Sequence, residues 1–153
     1  MKVSEWLDQH PYQVMPVMPE TTIEQMVDML LAYRPFSTDL YVVDEKGLLL
    51  GHISSKSVLN HYLVEHQPVQ SRRELMNRIT KSTAMEMMER QFPKAELDES
   101  MDAVLPRQVH HEITEMAVVD DNGELCGVIN LYTLARSLRS LDRVNSEDNQ
   151  DCM

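Results

Sequence analysis

The apolar positions of this chain fall into two patterns, and each pattern occurs twice. Leu40, Tyr41, Val42 and Val43 form a short apolar run, Asp44-Glu45-Lys46-Gly47 interrupts it, and Leu48, Leu49, Leu50, Gly51, His52 and Ile53 follow. Two such runs joined by Asp-x-x-Gly predict an antiparallel hairpin, because aspartate bonds to its own turn backbone and glycine reaches the positive φ that tight turns require. The arrangement returns without a gap in Met116-Ala117-Val118-Val119, Asp120-Asp121-Asn122-Gly123 and Glu124-Leu125-Cys126-Gly127-Val128-Ile129. Val-Val-Asp, both glycines and the isoleucine keep their spacing, so the chain reads as an internal duplication. The inner glycines, Gly51 and Gly127, fall in the returning strands and predict a close approach by a packing neighbour.

Helical spacing flanks each hairpin. Ile23, Met26, Val27, Leu30 and Leu31 recur at i, i+3, i+4, i+7 and i+8, with Thr21 or Thr22 placed as N-cap. In the second copy Ser100 can cap Met101, Val104 and Leu105, and Pro106 is expected to kink or stop that helix early. After the hairpins, Val58, Leu59, Tyr62 and Leu63 answer Leu134, Ala135, Leu138 and Leu141. Each unit opens with a short apolar-acidic segment, Ser4-Glu5-Trp6-Leu7 or Met85-Glu86-Met87-Met88, and strand candidates 13–18 and 94–97 precede the first helices. The order predicted for each unit is short helix, strand, helix, strand, strand, helix. The expected divisions are a first unit at 1–65, a polar connector at 66–82 with helical potential over 74–79, a second unit at 83–142 and an acidic disordered tail at 143–153.

Composition narrows the possibilities without changing this outline. The 153 residues, 42 % apolar and 25 % charged, suit one compact body or two mutually dependent units. A formal charge of −11 disfavours nucleic acid and anionic lipid as partners. It leaves a small anion open, because salt screens distant charges beyond roughly 8 Å. No apolar run has signal-peptide or membrane-spanning length, and Cys126 and Cys152 form neither a disulfide framework nor a CxxC pair, so a soluble cytoplasmic protein with reduced thiols is expected. His110 and His111 are adjacent and His61 and His66 five apart, spacings that do not suit a shared metal ion. The Asp44-Glu45 and Asp120-Asp121 pairs are assigned to turns, and the twelve methionines mostly to apolar faces. Nucleophile elbows, Walker loops and GxGxxG are absent, and all four glycines belong to hairpins, so no enzyme activity is expected.

A hairpin reading apolar-apolar-Asp-x-x-Gly-x-Leu-x-Gly-apolar-Ile, present twice within βαββα units, resembles the paired CBS domain. The resemblance covers nearly all of the chain before the acidic tail. It implies an α/β fold of the α+β type, two tandem units packed sheet against sheet with pseudo-twofold symmetry, and clefts between them. It also implies a regulatory module that binds AMP, ADP, ATP, S-adenosylmethionine or a related ligand, signals to a protein target and pairs as a homodimer.

The family's ligand signature runs from glycine through two apolar residues to Ser or Thr, then two variable residues and Asp. It falls here on Ser54 and Ser57, and on Asn130 and Thr133. The first residue of each pair is placed to cap the following helix, whose N–H groups and dipole favour a phosphate. Ser57 and Thr133 replace the carboxylate that grips the ribose hydroxyls, and a hydroxyl cannot accept both bonds of a diol as a carboxylate does. That exchange should cost about 1.5–3 kcal/mol. Lys56 is the candidate phosphate contact, with His52 beside it and Tyr132 at the matching position. The competing expectation is a ligand-free dimerisation or docking scaffold in which Ser54 and Asn130 serve only as caps.

Overall fold

The computed structural model describes residues 1–11, 14–32, 39–80 and 83–150. In chain order its elements are α1 (Val3–Gln9), β1 (Pro16–Val17), α2 (Ile23–Ala32), β2 (Asp39–Val43), β3 (Leu49–Ser54), α3 (Ser55–Glu65), α4 (Arg72–Thr80), α5 (Ala84–Met87), β4 (Lys94–Glu96), α6 (Met101–His110), β5 (Glu115–Val119), β6 (Leu125–Asn130) and α7 (Leu131–Gln150). They build two three-stranded sheets, β1-β2-β3 and β4-β5-β6. The first strand of each sheet runs parallel to the second, and the hairpin supplies an antiparallel third.

The duplication read from the sequence is a duplication of backbone. In β2 and β3, Leu40 lies opposite Ile53 and Val42 opposite Gly51, with a bulge between Val42 and Val43. In β5 and β6, Met116 lies opposite Ile129 and Val118 opposite Gly127, with the bulge between Val118 and Val119. Both turns use the same chemistry. Asp44 Oδ1 accepts from Lys46 N and Leu48 N at 2.9 Å, and Asp120 Oδ1 accepts from Asn122 N and Glu124 N at 2.9 Å. Gly47 and Gly123 take φ of 86° and 79°, the left-handed conformation that only glycine adopts without strain.

The two sheets face each other. Tyr41, Val43 and Leu49 pack with Ala117, Val119 and Val128 between them, while Leu40, Val42 and Ile53, or Met116, Val118 and Ile129, point outward to the helices. This period-2 alternation buries both faces of the central strands. Where the hairpin turns meet, Leu49 N donates to Gly123 O at 3.0 Å and Leu125 N donates to Gly47 O at 3.1 Å. Those four residues exchange places under the repeat, so the bonds mark an internal dyad.

Hydrophobic spacing did not reveal that the short opening helices change sides. α1 carries Val3 and Trp6 into the core of the second sheet, and α5 carries Ala84 into the core of the first. The anchors are symmetric: Val3 N donates to Glu99 O and Ser4 N to Leu97 O at 2.9 and 3.1 Å, while Ala84 N donates to Thr21 O and Met85 N to Pro19 O at 2.8 and 2.9 Å. This exchange accounts for the inner glycines. A Cβ on Gly51 would meet Met88 Cγ and Cβ at 2.6 and 2.7 Å, and one on Gly127 would meet Leu7 Cδ2 at 3.1 Å.

Other expectations need correction. Pro106 does not stop α6, which runs on to His110. The proline sits on the exposed side, while Val104 and Gln108 are wholly buried. Gln108 Nε2 donates to Thr114 O at 3.3 Å and to Ile129 O at 3.0 Å, which fixes the last turn against the loss of one helix bond at the proline. α7 continues to Gln150, through most of the stretch expected to be a disordered tail, whereas α4 covers the part of the connector, 74–79, that was expected to have helical potential. The strands β1 and β4 are shorter than the candidates 13–18 and 94–97, of which Gln13 lies outside the described residues, as do Lys81 and Cys152. Among the described residues no helix is long and apolar enough to cross a membrane.

Candidate functional site

Each hairpin ends where a helix begins, and the signature residues sit at that junction. Ser54 closes β3 and caps α3: its Oγ accepts from Ser57 N at 3.2 Å and donates to Ser57 Oγ at 2.9 Å. Asn130 closes β6 and does the same for α7, its Oδ1 accepting from Tyr132 N at 2.8 Å and from Thr133 N at 3.4 Å. Ser and Asn fill this role because a short side-chain oxygen reaches back to N–H groups the helix itself leaves unpaired.

Around this shared frame the two ends differ. At α3, Lys56 and Ser57 are exposed and Ser54 and His52 half-buried. Asp39, at the start of β2, brings its carboxylate to the same place. Its Oδ2 lies 2.9 Å from His52 Nε2, and its Oδ1 accepts from Ser55 N at 3.4 Å. The His52 ring neighbours those of Tyr41 and Phe92, at centroid distances of 5.6 and 5.7 Å, and backbone bonds of 3.0 and 2.9 Å tie His52 to Glu89. Lys94 Nζ stands 5.0 Å above the Phe92 ring. The first sheet therefore ends in hydroxyls, a carboxylate, an imidazole and an aromatic face.

At α7 the equivalents are buried. Glu115 takes the position of Asp39 and is 3 % exposed, and Asn130 is 6 % exposed. Asn130 Nδ2 donates to Glu115 Oε2 at 3.3 Å, and Tyr41, reaching over from the first sheet, donates its hydroxyl to Glu115 Oε1 at 2.9 Å. Leu131 N donates to Thr114 O at 2.9 Å, so the first three N–H groups of α7 all have acceptors within the chain. Tyr132 is exposed and Thr133 half-buried.

The structure thus brings His52, Ser54, Lys56 and Ser57 to one end of the first sheet, and Asn130 and Thr133 to the matching end of the second. Sequence reasoning missed Asp39, Tyr41, Phe92 and Glu115. One signal was available: extending the repeat back by a single residue pairs Asp39 with Glu115, an acid in each copy. Concavities of about 420 Å³ between α1 and β6, about 340 Å³ beside the first hairpin turn and about 280 Å³ along α7 contain none of the signature residues. Among the described residues no group of three or more His, Cys, Asp or Glu side chains is placed to hold a metal ion.

Comparison with known proteins agrees with this architecture. The model of the CBS domain matches the chain twice, over residues 11–64 and 84–140. No curated protein matches the chain significantly. Among solved structures, CBSX2 in complex with AMP is 17 % identical and superimposes with a TM-score of 0.73 over 92 % of this chain and 98 % of its own. The CBS domain pair of protein MJ0100, solved with 5′-methylthioadenosine and S-adenosyl-L-methionine, is 22 % identical, with a TM-score of 0.67 over 90 % of this chain and 99 % of its own. A conserved hypothetical protein from Geobacillus kaustophilus is 19 % identical, with a TM-score of 0.68 over 92 % and 98 %. With both units matched in order, and sheets, hairpins and helices repeated about one internal dyad, the chain belongs to the CBS domain family and is a tandem CBS pair.

Proposed function

We propose that this CBS pair is a regulatory module that takes an adenine nucleotide or a related adenosyl ligand at the N-terminal end of α3, between the two units, and signals occupancy to a protein target. The observation that carries the reading is the gathering of Ser54, Ser57, Lys56, His52 and Asp39 at one helix N-terminus, with Phe92 alongside. Hydroxyls and a lysine suit a phosphate or sugar edge, and the rings of Phe92 and His52 suit a base. Asp39 supplies a carboxylate at the helix end where Ser57 has replaced the family's aspartate. Asn130 and Thr133 are the counterparts at the second unit. The relatives solved with AMP, or with 5′-methylthioadenosine and S-adenosyl-L-methionine, set the chemical class to try first.

Ligand binding acts as regulation only if it favours one arrangement of the units over another. Thermal unfolding with AMP, ADP, ATP and S-adenosylmethionine, each with and without magnesium, tests the reading. A specific ligand at 100 times its dissociation constant stabilises by about 2.7 kcal/mol. The absence of any shift across that set would refute it.

A second reading, a homodimerising or docking scaffold, is favoured by exposed apolar side chains on the helices that follow the hairpins. Leu63 on α3 is 61 % exposed, and Leu138, Leu141 and Val144 on α7 are 54, 60 and 55 % exposed. A contiguous apolar face on a surface helix fits an association surface. Light scattering that shows a monomer at micromolar concentration, or partner binding that changes with a metabolite, would reject the scaffold as the whole account.

A further inference from the structure

The two helix N-termini are related by the repeat but do not present the same chemistry, and the difference lies in a few paired positions. We infer that the second one is closed from within by a Tyr41–Glu115–Asn130 latch, so that each chain takes a single ligand, at the N-terminus of α3. The inference rests on the nucleotide-binding reading and deepens it.

Position 41 decides the matter. Its repeat counterpart is Ala117, and both are 1 % exposed in the layer between the sheets. Tyr41 spans that layer and delivers a hydroxyl to Glu115 at 2.9 Å, whereas Ala117 ends at Cβ and offers nothing toward Asp39. Glu115 is then held from its other oxygen by Asn130 Nδ2 at 3.3 Å, and Asn130 Oδ1 turns to the N–H groups of Tyr132 and Thr133. A phosphate at that helix end would have to displace an amide side chain that is 6 % exposed and break its bond to a carboxyl that is 3 % exposed. That is unfavourable, because the displaced groups are buried and lose hydrogen bonds.

At α3 the same positions read differently. His52 stands where Val128 stands in the second copy, and it engages Asp39 laterally within its own sheet. Ser54, Lys56 and Ser57 retain exposure, and Ala117, at the counterpart of Tyr41, carries no hydroxyl. The asymmetry therefore follows from residue identity, Tyr for Ala and His for Val, on equivalent backbone.

Calorimetric titration of AMP and of S-adenosylmethionine into the full chain, combined with a double-mutant cycle on Tyr41→Phe and Glu115→Gln followed by urea unfolding, tests the inference. The expected result is one equivalent bound per chain, with Ser54→Ala weakening it by at least about tenfold. In the cycle, the double variant should unfold at nearly the same midpoint as the more destabilised single variant, because the two side chains share one interaction. Two equivalents per chain, binding abolished by Asn130→Ala but retained in Ser54→Ala, or additive midpoint shifts would each overturn it. A titration without heat refutes the nucleotide reading and the stoichiometry together, and the cycle then reports separately whether the latch exists.

Discussion

At the level of single residues, the packing of Gly51 and Gly127 makes a graded prediction. Gly51→Ala forces Met88 away from its Cβ outward, not only at its flexible end, whereas Gly127→Ala asks a few tenths of an ångström of the Leu7 methyl groups. Gly51→Ala is expected to destabilise by about 1–3 kcal/mol and Gly127→Ala by clearly less, measured by urea unfolding. Equal effects would contradict the contacts described. Glu99 gives a pH-dependent case. The Arg107 guanidinium, at 2.9 and 3.1 Å from its two oxygens, holds the Glu99 carboxyl below its ordinary range, and a bond from Glu96 N adds to the effect. A depressed carboxyl contributes stability above its unfolded value of about 4.3, and that contribution is lost as pH falls through the lower folded value. Arg107→Gln should therefore lower stability at neutral pH and flatten the acid limb of the stability profile. A variant with an unchanged acid limb would show that the pair contributes nothing. Of these residues the glycines were legible, because a glycine inside a strand pattern has few explanations. The Tyr41–Glu115 bond was not, because it joins residues 74 positions apart that no local period relates.

Elements carry a different lesson. The hairpins follow directly from paired apolar runs and Asp-x-x-Gly, and α2 from its periodic face and the Thr22–Gln25 capping pair, whose reciprocal bonds are 3.0 and 3.3 Å. The exchange of α1 and α5 was hidden, because an amphipathic turn shows that one face is buried but not which sheet buries it. Its consequence is measurable. Trp6 is the only tryptophan in the chain and is 7 % exposed within the second core, stacked on His10 at 3.7 Å. Its fluorescence should be that of a buried indole and should shift to a water-exposed spectrum together with global unfolding. Trp6→Ala should cost about 3–5 kcal/mol, because the indole is removed from the second core. A solvated emission spectrum in the native protein would mean that α1 is not docked. Pro106 was misleading for a related reason: local propensity disfavours a proline inside a helix, and the buried Val104 and Gln108 override it.

For the whole molecule, the dyad explains both what the two units share and where they part. Repeated register, turns and anchor bonds make one frame, and substitutions at positions 41, 52, 54 and 57 against 117, 128, 130 and 133 give its two ends different chemistry. The signature positions could be found from sequence because they follow the hairpin at fixed spacing. The groups around them come from strand starts and from the opposing sheet, so only the assembled fold reveals them. Tyr41→Phe belongs to this scale, since it cuts the hydroxyl bond between the sheets. It should destabilise the chain by about 1–3 kcal/mol, read as a lower urea midpoint, because a buried acceptor on Glu115 loses its donor. The most direct test of the account is a crystal structure of the chain grown with AMP. The nucleotide is expected against α3, with phosphate near Ser54, Ser57 and Lys56 and the base beside Phe92 and His52. Nucleotide bound instead at Asn130 and Thr133, or α3 left without it at saturating AMP, would contradict the account.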